Sequence, residues 1–166
     1  MELSKKVESA LNRQVTHEFE AWRAYLSISS YFETLSLCGM AHWMRKQAEE
    51  EMTHAMKVFD YINDRGGAVK LEALSAPAFK FAIPLAAFEA ALAHEQKNTR
   101  HLEDLMDVAS SENDKATVSF LKWFIDEQVE EEDNARKNID FAKMCGESKG
   151  ALMHLDHRMG KRDEKG

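Results

Sequence analysis

The chain has 166 residues, 44% of them apolar and 31% charged, with a formal net charge of −7. That length predicts one domain able to bury a substantial core, and the acidic balance excludes a general nucleic-acid binder, because a phosphate backbone selects a basic surface. Only two prolines and seven glycines favour long uninterrupted helices over strands and turns.

The start, MELSKKVESALNRQ, has no apolar leader-like run, and no stretch reaches the roughly 18 apolar residues of a membrane span. A soluble, cytoplasmic protein is expected, and Cys38 and Cys145 read as a pair of reduced thiols with neither metal nor redox spacing.

The first helix is predicted over about residues 4–37. Leu11, Gln14, Glu18, Ala21, Tyr25, Ile28 and Phe32 lie on its seam, at alternating spacings of three and four. Gly39 is expected to break it. The second, about 40–65, carries Ala41, Met44, Ala48, Glu51, Ala55, Val58 and Ile62, and closes at Gly66–Gly67, where glycine takes the left-handed turn. The third, about 84–110, opens at Pro84 and runs through Leu85, Phe88, Leu92, Glu95, Thr99, Leu102, Met106 and Ala109. The SSEND segment then supplies capping side chains. The fourth, about 114–145, runs through Leu121, Phe124, Gln128, Glu131, Ala135, Asn138 and Ala142, and ends at Gly146. A short fifth helix follows over about 149–159, and KRDEKG reads as a frayed tail.

Connection lengths set the topology. The short breaks at Gly39 and at SSEND make helices one and two, and three and four, antiparallel neighbours. The segment Gly67–Ile83 is different. About 17 extended residues span roughly 56 Å, more than the roughly 39 Å of a helix of about 26 residues. The segment can therefore cross the whole bundle and set helices two and three parallel, which is the ferritin-like arrangement of four helices with one long crossover.

Each seam carries one glutamate: Glu18, Glu51, Glu95 and Glu131. His54 and Gln128 each lie three residues from a seam glutamate and share its face. A single helical glutamate is most often solvated, and Glu49, Glu132 and Asp133 keep that reading. Four coincident phase errors are a poorer explanation. An unpaired buried carboxylate costs several kcal/mol, and no seam lysine or arginine offsets it. Bound cations compensate all four together. A hard, oxygen-rich donor set with one imidazole disfavours a cysteine-type zinc site and suits a pair of iron or manganese ions.

The order of the pieces is similar to one family. Glu18 and Tyr25 on helix one, E-E-M-T-H at Glu50–His54, H-E-Q at His94–Gln96 and F-L-K-W-F-I-D-E-Q-V-E-E at Phe120–Glu131 resemble the non-haem bacterial ferritins over nearly the whole chain. The resemblance implies that Glu18, Glu51 and His54 bind a first iron, with Glu51 bridging to a second that Glu95 and Glu131 complete. It implies that Gln128 hydrogen-bonds bound oxygen or water, and that Glu50, Glu127 and Glu130 form a third iron site facing a cavity. Tyr25 and Trp123 match residues able to supply an electron, although the residues alone fit core filler equally well. The activity implied is ferroxidation of Fe²⁺ by O₂ or H₂O₂, with ferric mineral kept inside a shell of 24 subunits.

Two alternatives stay open, a haem-containing bacterioferritin and a shell subunit without a ferroxidase centre. Against the first, Q-V-E-E stands where bacterioferritins repeat E-x-x-H, and Met52, placed like their haem ligand, reads as packing; haem is not expected. Against the second, Glu18, Glu51, His54 and Glu95 are all present. Glu112 and Asp114 are candidates for a channel lining or plain caps, and His154 and His157 for a fourfold channel or plain surface. His17, His42, His94 and His101 read as surface or satisfied-core histidines.

Overall fold

The computed structural model describes residues 2–162. It contains α1 (Lys5–Thr34), α2 (Cys38–Asp64), α3 (Pro84–Ser111), α4 (Lys115–Cys145) and α5 (Lys149–Met159), with no strand among the described residues. The four long helices form the predicted bundle, and α5 packs across the end of α2 and α4. No described helix is long and apolar enough to cross a membrane.

Local chemistry starts and stops these helices. The side chains of Ser4, Asp114 and Ser148 accept hydrogen bonds from the N–H groups of Val7, Thr117 and Ala151 at the heads of α1, α4 and α5, satisfying donors a helix leaves open. Gly66 (φ +73°) and Gly146 (φ +51°) close α2 and α4. Gly39, in contrast, does not break the chain. The break falls at residues 35–37, with Ser36 at φ +58°, and Gly39 lies inside the first turn of α2. Its reason is contact, because a Cβ there would sit 1.8 Å from the Asp156 carbonyl oxygen of α5. Asp156 also accepts a 2.8 Å hydrogen bond from the Met40 N–H through Oδ1, so α5 caps an α2 start that has no cap of its own.

Residues 65–83 form the crossover and run alongside α1 in its own direction. Asn12, buried, donates to the Ala68 carbonyl at 3.0 Å and accepts from the Lys70 N–H at 2.6 Å. Arg23 donates to the carbonyls of Leu74 and Ser75, and Ser27 to that of Ala78. Phe81 meets Tyr31 edge-on. Buried or half-buried partners thus tie the backbone of a strandless segment down at intervals, which carries the chain back so that α3 runs parallel to α2.

The seam residues predicted for helices one, two and four are all buried. The third helix is rotated from its prediction. Ala91, Asn98 and Leu105 point inward, while Leu85, Leu92, Thr99 and Met106 are only half-buried. Apolar Leu92 and Met106 favoured the wrong neighbouring stripe, and Asn98, being polar, gave no weight to the right one. Two apolar clusters fill the ends of the bundle. One holds Tyr25, Phe32, Met44 and Phe88, the other Leu11, Ile62, Leu102 and Phe124. Between them lies a polar layer.

Candidate metal centre

At this middle level every long helix turns polar side chains inward. Gln14 and Glu18 come from α1, Gln47, Glu51 and His54 from α2, Glu95 and Asn98 from α3, and Gln128 and Glu131 from α4, all buried. Spacings of three and four put each group on one face of its helix.

The tightest set is Glu18, Glu51 and His54, each with a donor atom within 4.8 Å of the others. Glu18 is held from one side: Gln14 Nε2 donates to its Oε1 at 2.6 Å and Asn98 Nδ2 to its Oε2 at 3.3 Å. Gln14 also donates to Asn98 Oδ1 at 2.7 Å, which locks the two amides together. Glu51 differs. It is 1% exposed, and neither carboxylate oxygen receives a hydrogen bond. Its nearest cationic candidate is the His54 ring, with Nδ1 3.4 Å from Oε2. Burial, then the charges of Glu95 and Glu18, push its pKa well above the usual carboxylate range. An orphaned buried carboxylate facing further carboxylates is a poor structural element and a good cation ligand.

Glu95 and Glu131 complete the layer. Tyr25 donates its hydroxyl to Glu95 Oε1, and Gln128 Nε2 donates to Oε2 at 3.2 Å and to the Glu95 carbonyl at 3.2 Å. Burial still holds Glu95 up at about 7 against these two donors. The Tyr25 phenol, fully enclosed and beside Glu95, is itself pushed well up, so it keeps its proton. Burial, then the Glu95 and Glu50 charges, raise Glu131 to about 8, with the Gln47 amide opposing them as a donor to its Oε2. Trp123 is half-buried beside this set, edge-on to the His54 ring with centroids 5.4 Å apart; the Lys57 ammonium lies 3.2 Å above its face.

The three acids of the expected third site are not brought together. Glu50 is half-buried, Glu127 half-buried and Glu130 exposed, and among the described residues only the Glu18–Glu51–His54 set has three converging donors. Glu50 is engaged by Arg162, whose Nη2 donates to it at 2.7 Å. Arg162 also donates to Gln47 Oε1 at 2.7 Å and to the Trp43 carbonyl, and stacks on the Trp43 ring. The tail is therefore not wholly frayed: Arg162 is docked, and residues 163–166 lie outside the described ones. Glu132, expected on the solvated face, accepts from Thr99 at 2.7 Å and pairs with Arg136.

The remaining expectations divide similarly. Asp114 caps α4 and pairs with Arg65 at 3.0 Å, which outweighs burial and lowers its pKa; Glu112 pairs with Lys6. His154 and His157 are exposed and line an open groove of about 570 Å³ with Trp43, Phe141 and Arg162. His17 and His101 stack on each other. Both cysteines are free. Gln47, Asn98 and Arg162 are site neighbours that sequence reasoning missed. Gln47 was detectable, since it precedes Glu51 by one helical turn.

Fold and site together define a four-helix bundle with a buried carboxylate–histidine set whose donor atoms lie close enough together to hold a metal ion. The sequence profile of the ferritin-like domain matches residues 8–144. The chain is 39% identical over 160 residues to the bacterial non-heme ferritin of Staphylococcus aureus, covering 96% of each. It is equally identical to that of Bacteroides fragilis, covering 96% of this chain and 99% of the relative. Among solved structures, a novel open pore ferritin from the hyperthermophilic archaeon Archaeoglobus fulgidus superposes with a TM-score of 0.95 at 43% identity, covering 96% of this chain and 99% of that one. The chain belongs to the ferritin family.

Proposed function

We propose that this chain is an iron-storage ferritin subunit with ferroxidase activity. In this reading Glu18, Glu51 and His54 take a first Fe²⁺, and Glu95 and Glu131, sharing Glu51, take a second. Each ion gives one electron to O₂ or H₂O₂, and the ferric product is kept as mineral in the cavity of a shell, for which the family suggests 24 copies in the cytoplasm. Gln128 holds Glu95 in place, and Tyr25 and Trp123 stand as electron donors beside the centre. Glu50, Glu127 and Glu130 would serve as a third acidic set once Arg162 releases Glu50.

The observation that supports this most is Glu51, buried without a hydrogen-bond donor among three other buried carboxylates. A bound cation offsets that arrangement while leaving the carboxylates ionised, whereas without one they must take up protons. The test is anaerobic Fe²⁺ titration followed by oxygen, comparing the wild type with Glu51→Ala. Fast oxidation of about two irons per subunit is expected in the wild type, with a loss of at least about 100-fold in rate in the variant. Fast oxidation surviving in Glu51→Ala overturns the assignment, and size-exclusion chromatography showing a monomer or dimer overturns the shell.

A further inference from the structure

Away from the central layer, α1 and α3 bring a second set of nitrogen donors to one groove. His17 and His101 lie face to face, with centroids 3.5 Å apart and planes at 15°. The Nδ1 atoms of both rings are buried and lack a hydrogen-bond partner. Glu20 places its Oε2 3.7 Å from His17 Nδ1, too far for a hydrogen bond. Both side chains are half-buried, and a histidine nitrogen closed off from solvent is ordinarily held by a partner. Here two are stacked with a nitrogen left over on each, a role a pair of phenylalanines would fill better.

The location matters as much as the donors. On one side of the pair a cavity of about 90 Å³ is lined by Arg13, Gln14 and Asp104 together with the two histidines. On the other, a smaller cleft is lined by Glu20, His94, Lys97 and Asn98. Gln14 and Asn98 are the two amides that hold Glu18. The histidine pair therefore stands between the surface groove and the first carboxylate of the centre.

We propose that His17, His101 and Glu20 form a docking site for Fe²⁺ and similar divalent transition-metal ions, from which ions pass between Gln14 and Asn98 to Glu18. Two imidazoles and a carboxylate select Fe²⁺, Co²⁺ or Zn²⁺ over Mg²⁺ or Ca²⁺. The donors do not converge as Glu18, Glu51 and His54 do. The parallel rings must turn about their Cβ–Cγ bonds to share an ion, and the adjoining cavity gives them room. Lys97, exposed at the rim, opposes a resident cation. Weak, reversible binding is what a loading site requires. The passage to Glu18 rests on the central assignment; the docking site does not.

Co²⁺ under anaerobic conditions is the probe. In a Glu18→Ala/Glu51→Ala background the central set keeps only His54 of its three converging donors, and about one Co²⁺ per subunit with an imidazole-ligand spectrum is expected to remain at the histidine pair. Adding His17→Phe or His101→Phe keeps the stacked rings, removes a nitrogen and abolishes that binding. In the otherwise wild-type protein, each His→Phe change lowers kcat/KM for Fe²⁺ oxidation about tenfold while kcat at saturating Fe²⁺ is held. Co²⁺ binding unchanged by His→Phe, or an unchanged kcat/KM, overturns the proposal. Where a phenylalanine variant does not assemble, His17→Gln and His101→Gln read the same difference. Co²⁺ uptake undiminished by Glu18→Ala/Glu51→Ala counts against the central centre instead.

Discussion

Phe88 and Glu95 lie two turns apart on the same face of α3, and each is 1% exposed. Phe88 packs against Phe32, with centroids 5.2 Å apart, inside an apolar cluster. Glu95 meets Tyr25, Gln128 and three other buried carboxylates. Burial of Phe88 stabilises the fold by about 1.5–3 kcal/mol, whereas burial of Glu95 raises its pKa to about 7 and opposes its ionised form. Equal burial on one helix thus has opposite signs. The apolar clusters at the two ends hold the bundle closed around a middle layer that, without cations, works against it.

Phe88→Ala is the strongest way to test the stabilising half. Removing a large ring from a filled cluster is expected to lower the unfolding free energy of the metal-free protein by about 3–5 kcal/mol in denaturant titration. The number of metal ions bound should stay as in the wild type, because the ring belongs to the apolar cluster and supplies no donor to the layer. A loss below about 1 kcal/mol would mean the clusters are not what holds the layer together.

The opposing half is tested by pH. The folded pKa of Glu95 (about 7) and Glu131 (about 8) stand above the ordinary carboxylate value of 4.5, so the folded metal-free protein binds more protons than the unfolded chain between those limits. Its stability therefore falls as pH rises through this window. Metal binding needs the ionised carboxylates and runs the other way, so the rise in Tm on adding Mn²⁺ should be larger at pH 8 than at pH 6. Glu51→Gln keeps the shape and removes the charge. It is expected to raise metal-free stability at pH 8 by about 1–3 kcal/mol and to abolish most of the Mn²⁺ effect. A metal-free variant less stable than the wild type at pH 8 would show that Glu51 is satisfied in a way its surroundings do not suggest.

Much of this contrast was legible in the residues. Spacings of three and four located every seam position of α1, α2 and α4, and the same spacing exposed Glu18, Glu51, Glu95 and Glu131 as acids where apolar residues belong. Length alone predicted that the crossover could reverse the direction of the chain. What escaped prediction depends on contacts between distant segments. Gly39 resembles a helix breaker in sequence, and only the approach of Asp156 explains it. Asn98 was hidden because a polar residue lends no weight to an apolar stripe. His17 and His101 lie on different helices, so their stacking has no sequence spacing to betray it.

Arg162 is the last such case and gives the smallest expected effect. It donates to Gln47 Oε1, which turns the Gln47 amide nitrogen toward Glu131. Its charge also lowers the Glu131 pKa, against the larger effect of burial. Arg162 therefore acts on the layer through Gln47, as a positioning residue. Its own pair with Glu50 is partly exposed, the two side chains retaining 20% and 46% of their accessibility. Such pairs contribute about 0–1 kcal/mol, so Arg162→Ala should leave Tm close to that of the wild type. The pH profile is where the change belongs. Without the guanidinium, Glu131 ionises at higher pH, and half-maximal binding of the second metal ion moves upward by a few tenths of a pH unit or more. Arg162→Lys keeps a charge but loses the two-pronged geometry that reaches Gln47 and Glu50 together, so it should recover only part of the shift. An unmoved profile in Arg162→Ala would place the docked tail outside the site and leave Gln47 to orient Glu131 alone.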